Sequence, residues 1–150
     1  MDNKYMEIAI KEAIKAYKKD EISVGAVIVC NDKVISKGYN LRDSSNIITK
    51  HAEIIAIEKA NKKLNNWRLN DCVLYTTLEP CPMCYETIKA CKISRVVYAA
   101  DSNIDHKKCN LLSQIGNKEL INECEQLIKD AFKNIREKNT DKVKVFGGNF

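Results

Sequence analysis

The 150-residue sequence predicts an α/β fold in which one sheet is covered by helices on both faces. Segments of strand and helix character alternate along the chain, and most helical segments carry one apolar stripe that needs a sheet to bury it. The length matches a common domain size. With 45% hydrophobic residues and no repeat, low-complexity tract or linker, one core and a single domain over 1–150 are expected.

Each element follows from local pattern. Asp2 to Lys18 reads as a helix, with Asp2 as a candidate N-cap and Met6, Ala9, Ala13, Ala16 and Tyr17 at helical spacing. Val24 to Cys30 and Val34 to Tyr39 flank the polar pair Asn31-Asp32, a hairpin pattern. Asn40 to Lys50 is polar and reads as a loop. His51 then opens a helix that carries Ile54, Ile55, Ile57 and Ala60 towards Lys62. Cys72 to Thr77 is a short strand, Pro82 to Cys91 a helix and Val96 to Ala100 another strand. Asp101 to Lys108 reads as a loop and Leu111 to Ile115 as a short helix. Lys118 to Lys138 is a long helix with Leu120, Cys124, Leu127, Ile128, Ala131 and Ile135 on one stripe. The alternating tail Lys142 to Phe146 has the pattern of a half-buried strand.

Charge and cysteine content bound the function. A net charge of +5 is compatible with an anionic partner such as RNA, without requiring one. No stretch approaches the ~20 apolar residues of a membrane span. Seven cysteines, an odd number, and an N-terminus without the apolar run of a signal peptide suggest a reduced, cytoplasmic setting over a disulfide framework. The cysteines are then core residues or metal ligands.

Two segments carry chemistry: His51-Ala52-Glu53 and Pro80-Cys81-Pro82-Met83-Cys84. Catalytic zinc takes three nitrogen or thiolate ligands and keeps one position open, and one histidine plus two cysteines meets that demand. Cys81 and Cys84 share a helix face, and Pro82 suits the first helical position, so both sulfurs would lie at a helix N-terminus. There the free amides and the helix dipole favour thiolate. His106 is the only other histidine and has no partnering motif, which argues against a closed structural site. Bound zinc lowers the pKa of water to ~7, and a carboxylate must then move the proton, the role expected of Glu53. On an ideal helix His51 and Glu53 would diverge by ~200°, so His51 is expected at the cap, outside helical geometry.

With these segments, together with Val24-Gly25-Ala26-Val27, Asn40-Leu41-Arg42, Trp67-Arg68-Leu69, Leu74 through Cys84, Arg95-Val96-Val97-Tyr98 and Glu123-Cys124, the chain resembles the cytidine deaminase-like superfamily. Within it, the chain is similar to the bacterial tRNA-specific adenosine deaminases, from about Tyr5 to Lys138. The resemblance implies a three-layer α/β/α sandwich around a mixed, mainly five-stranded sheet. It implies one zinc ion on His51, Cys81 and Cys84, with Glu53 as proton shuttle. Asn40 would fix the base through its side-chain amide, and the backbone amides of Ala52 and Cys81 would complete the pocket. Leu78 and Val27 or Ile28 would pack the target base, with plain core packing as the alternative. Arg42 and Arg68 would approach the RNA backbone, unless they are simply solvated. Glu79 would hold the turn before Cys81, and Trp67 would serve packing. A homodimer is implied.

Two departures from the family pattern stand out. Asp101-Ser102-Asn103-Ile104-Asp105 replaces an Asp-Pro-Lys-x-Gly-like turn, and the stretch from Leu112 to Cys124 is short. The fifth strand is therefore expected from Val143 to Phe146. The function implied is zinc-dependent hydrolytic deamination of the wobble adenosine in a tRNA anticodon stem-loop. Deamination of a free base or nucleoside of the guanine or cytosine type is the alternative on the same scaffold. A non-catalytic zinc subunit is a third reading, against which Glu53 speaks.

Overall fold

The computed structural model describes residues 1–103 and 110–145, with side chains described through 139. The elements run α1 (Asp2–Lys18), β1 (Gly25–Cys30), β2 (Lys33–Tyr39), α2 (Arg42–Ser45), α3 (Ala52–Leu64), β3 (Cys72–Leu78), α4 (Pro82–Ala90), β4 (Arg95–Ala100), β5 (Leu112–Gln114) and α5 (Lys118–Val145). The sheet order is β2-β1-β3-β4-β5. β1 pairs antiparallel with β2 and β3, whereas β3, β4 and β5 are mutually parallel. The sheet is therefore mixed and five-stranded, as expected.

Side-chain alternation divides the core between the two faces of the sheet. Ala26, Ile28, Leu74 and Val96 face Ala52, Ala56 and Ala60 of α3 and Ile88 of α4. Val27, Val29, Tyr75 and Val97 face Met6, Ala9 and Ile10 of α1 and Leu120 and Cys124 of α5. Two glycines let helices approach the sheet closely. A Cβ on Gly25 would lie 2.0 Å from the Ala9 carbonyl oxygen, and one on Gly38 would lie 2.5 Å from that of Ala52. In the β1–β2 turn Asn31 and Asp32 have φ of 51° and 60°, the doubly left-handed conformation that two-residue hairpins require.

Four expectations are corrected. Asp2 does not cap α1; Met1 holds that position, and the Asp2 carboxylate accepts from Tyr75 Oη at 2.7 Å and Arg95 Nη2 at 2.8 Å. The 40–50 loop contains the helical turn α2. Leu111 to Ile115 is not a helix: Leu112–Gln114 forms β5, with the Val96 amide donating to Leu111 at 2.9 Å and the Ile115 amide to Tyr98 at 2.8 Å. Five residues are too few to sustain a helix alone, while an open parallel edge satisfies their backbone. The fifth strand accordingly does not come from the tail: Val143 to Val145 continue α5, which meets no Gly or Pro on the way, and Phe146 lies outside the described residues. Ile104, Asp105, His106 and Cys109 also lie outside them. Among the described residues, no helix is long and apolar enough to cross a membrane.

Candidate metal centre and base pocket

Both chemical segments sit where a loop turns into a helix on the same face of the sheet. His51 is the N-cap of α3, with φ −79° and ψ 154°; Cys81 is the N-cap of α4, with φ −69° and ψ 166°. Both are extended, so the expected departure of His51 from helical geometry is present, and it turns the imidazole towards the same space as Glu53. Pro82 occupies the start of α4, where its missing amide costs no hydrogen bond.

His51 Nδ1 lies 3.6 Å from Cys81 Sγ and 3.4 Å from Cys84 Sγ. A tetrahedral zinc centre with ordinary Zn–N and Zn–S bonds separates its nitrogen and sulfur ligands by about 3.5 Å. The donor set thus fits zinc in both chemistry and spacing. Among the described residues it is the one group of three metal-ligating side chains this close together, all ligand atoms lying within 4.8 Å of one another.

Electrostatics modify one sequence-based argument. The Cys84 thiol is pushed well up by burial first, then by the charge of Glu53 and by Cys81. The amides at the start of α4 do not overcome this. A bound cation would offset that penalty, so a buried Cys84 sulfur beside the Glu53 carboxylate suits a metal ligand.

Glu53 is 4% exposed. Thr76 Oγ1 donates to its Oε1 at 2.9 Å, and Cys84 Sγ lies 3.4 Å from its Oε2. Sequence reasoning missed Thr76; its one visible signal is a polar Thr-Thr pair inside an otherwise apolar strand.

A cleft of about 140 Å³ opens onto this centre and is lined by His51, Glu53 and Cys81 together with Asn40, Arg42, Ala52 and Leu78. Ile22, Val24, Glu79 and Ser102 also line it and were not anticipated as pocket residues. Asn40 is buried, its Nδ2 donating to the Ile22 carbonyl at 3.2 Å and its Oδ1 accepting from the Arg42 amide at 3.1 Å. Glu79 accepts from the Ser102 amide at 3.2 Å and hydroxyl at 3.0 Å, tying the end of β3 to the segment after β4.

Ile28 and Arg68 are placed elsewhere. Ile28 is fully buried in the core beneath α3 and α4, four residues along β1 from Val24, a separation of about 13 Å. Val27 points to the opposite face. Arg68 is exposed beyond the far end of α3, its guanidinium 4.9 Å from the centroid of the Trp67 ring. The 13 residues of α3 put that end about 20 Å from His51. Trp67 is 57% exposed, not packed as expected. Cys72, Cys91 and Cys124 are core residues. A wider hollow of about 700 Å³, lined by Met1, Asp2, Val97 and Gln114 among others, lies at the β5 edge and contains none of the metal-ligating cluster.

Comparison with known proteins matches residues 1–100 to the family described as the cytidine and deoxycytidylate deaminase zinc-binding region. The tRNA-specific adenosine deaminase of Bacillus subtilis (strain 168) is 34% identical over 148 residues, covering 91% of this chain and 92% of that protein. Among solved structures, one from a study of A-to-I editing by tRNA:A34 deaminases at the wobble position superimposes with a TM-score of 0.74 at 30% identity, over 83% of this chain and 99% of that one. A guanine deaminase from Bacillus subtilis superimposes with a TM-score of 0.63 at 40% identity, over 66% of this chain and 64% of that one.

Proposed function

Since the chain belongs to the zinc-binding cytidine and deoxycytidylate deaminase family, we propose that it hydrolytically deaminates the wobble adenosine of a tRNA anticodon loop to inosine. The observation that carries the chemistry is the convergence of His51 Nδ1, two cysteine sulfurs and the buried Glu53 carboxylate on one cleft. His51, Cys81 and Cys84 would hold the zinc ion, whose chemistry when bound would be to lower the pKa of a water and so make it a nucleophile at neutral pH. Glu53 would carry one proton from the attacking water to the ring nitrogen and a second, from the hydroxyl newly bonded to C6, to the amine, which leaves as ammonia as the C6 carbonyl forms. Thr76 anchors one oxygen of Glu53, so the carboxylate keeps a single orientation while it shuttles. Leu78, Val24 and Ile22 give the cleft apolar walls that exclude bulk water from the base. Asn40 and Arg42 line it as well, and Arg42, the more exposed of the two, would meet the phosphate backbone of a looped-out nucleotide. The enzyme works as one domain, as a homodimer and in the cytoplasm.

The choice of tRNA rests on relatives of that activity that match along nearly the whole chain. A second reading, deamination of a free purine base, is favoured by the 40% identity to a guanine deaminase over two thirds of the chain. An anticodon stem-loop with adenosine at the wobble position, assayed beside free guanine, cytosine and adenosine, separates the two. Inosine in the RNA alone supports the first reading; turnover of a free base alone replaces it with the second. Glu53→Ala is expected to abolish turnover in either assay while zinc stays bound, and an active variant would remove Glu53 from the mechanism.

A further inference from the structure

Glu21 lies one and three residues before the cleft residues Ile22 and Val24, yet its side chain serves another element. It is 1% exposed, and its carboxylate accepts from the Asp43 amide at 3.2 Å and from both the amide and the hydroxyl of Ser44. All three donors belong to α2, the four-residue helix that starts at Arg42. The N-cap of α2 is the apolar Leu41, which offers no side-chain acceptor, and α2 buries none of its own side chains. A single turn with neither cap nor packing does not hold its place unaided. It is fixed from outside, by Glu21 and by Asn40, whose amide bridges Ile22 and Arg42.

We propose that Glu21 is a positioning residue for substrate: its buried carboxylate caps α2 across space and thereby sets Asn40 and Arg42 at the rim of the cleft. The inference rests on reading that cleft as the base pocket. Glu21 itself does not line the cleft. Glu53 lies on α3 and the metal-ligating residues at the starts of α3 and α4, and among the described residues the Glu21 hydrogen bonds run to α2 instead. Disturbing Glu21 thus loosens the rim and leaves the reacting centre intact, so binding suffers more than chemistry.

Glu21→Gln and Ser44→Ala test this on the zinc-loaded protein. Glu21→Gln is expected to raise KM for the anticodon stem-loop about tenfold, the loss of one charge-assisted hydrogen bond. Its kcat is expected to stay within about twofold of the parent, with zinc at one per chain. Ser44→Ala, which leaves Glu21 in place and removes one surface donor, is expected to shift KM the same way by less. Amide hydrogen exchange is expected to quicken at Asp43 and Ser44 in Glu21→Gln and to stay unchanged in β1 and α3. An unchanged KM, or parallel loss of kcat, zinc and exchange protection across the molecule, overturns the proposal. If the parent turns over only a free base, the RNA reading has failed instead; KM is then measured on that base, and equal values for parent and Glu21→Gln overturn the positioning role there too.

Discussion

At the residue scale, four side chains were readable in advance because their spacing is itself the chemistry. His51 and Glu53 two apart, and Cys81 and Cys84 around Pro82, are a pattern legible without tertiary information, and the structure brings His51, Cys81 and Cys84 together with Glu53 beside them. Thr76 was not readable, since its link to Glu53 comes from β3 passing beneath α3, and a threonine in a strand carries no such label. Thr76→Val is expected to lower kcat about tenfold or more by leaving a buried carboxylate oxygen without its donor, with KM and zinc content little changed. Steady-state kinetics beside a zinc assay checks it, and an unaltered kcat would reduce Thr76 to packing. Cys84 gives a second test. Burial and the nearby negative charge push its thiol up towards the protonated form, so protons compete with the ion for that sulfur. Zinc affinity is expected to fall as pH falls, by about tenfold per unit for each thiol that must lose its proton. Competition with a chromogenic chelator between pH 8 and pH 6 reads the slope, and a flat response contradicts thiol ligation.

At the scale of the element, the long helices and the six- and seven-residue strands were assigned correctly, and the three- and four-residue elements were not. α1, α3 and α5 announce themselves by apolar stripes, whereas β5 and α2 have too few residues for any period to show. What decides those two is backbone pairing with β4 and the cap from Glu21, which are long-range, while Asn40 adds a local bond to the Arg42 amide. The packing of α3 on β2 is similarly hidden behind one glycine. Gly38→Ala would drive a methyl group into the Ala52 carbonyl at the start of α3, the turn that follows His51. It is expected to cost about 2 kcal/mol or more and to lower zinc occupancy together with stability. A variant with full zinc and an unchanged denaturation midpoint would mean that α3 yields freely. On the opposite face, Asp2 links α1 to β3 and β4. Burial alone would raise its carboxyl, but Arg95 and Tyr75 together hold it below its ordinary value of 3.8. The stabilisation is therefore present above that value and disappears as pH falls through the lower folded one. The pair is well exposed, so Asp2→Asn is expected to cost only about 0.5–1 kcal/mol at neutral pH and nothing in strong acid. Urea midpoints at pH 7 and pH 2 make the comparison.

At the scale of the whole molecule, strand–helix alternation was enough for the layered architecture, and the family motifs for the mixed sheet. Which surface would meet an RNA substrate was the least legible, because exposed arginines look alike in a sequence. Arg42 stands at the rim of the cleft and Arg68 about 20 Å away beside Trp67. If tRNA is the substrate, affinity for a stem-loop is expected to fall steeply with salt, and Arg42→Ala to make that slope shallower by about one phosphate contact. Equal slopes for parent and variant would take Arg42 out of contact with the backbone. One last consequence follows from the two extended N-caps that bring α3 and α4 together. An ion gripping both helices binds only the folded chain, so it acts as a clasp whose strength follows supply. Each tenfold rise in free zinc above Kd is expected to add about 1.4 kcal/mol to the resistance to unfolding. A cell starved of zinc would then lose this protein to proteolysis as well as its activity.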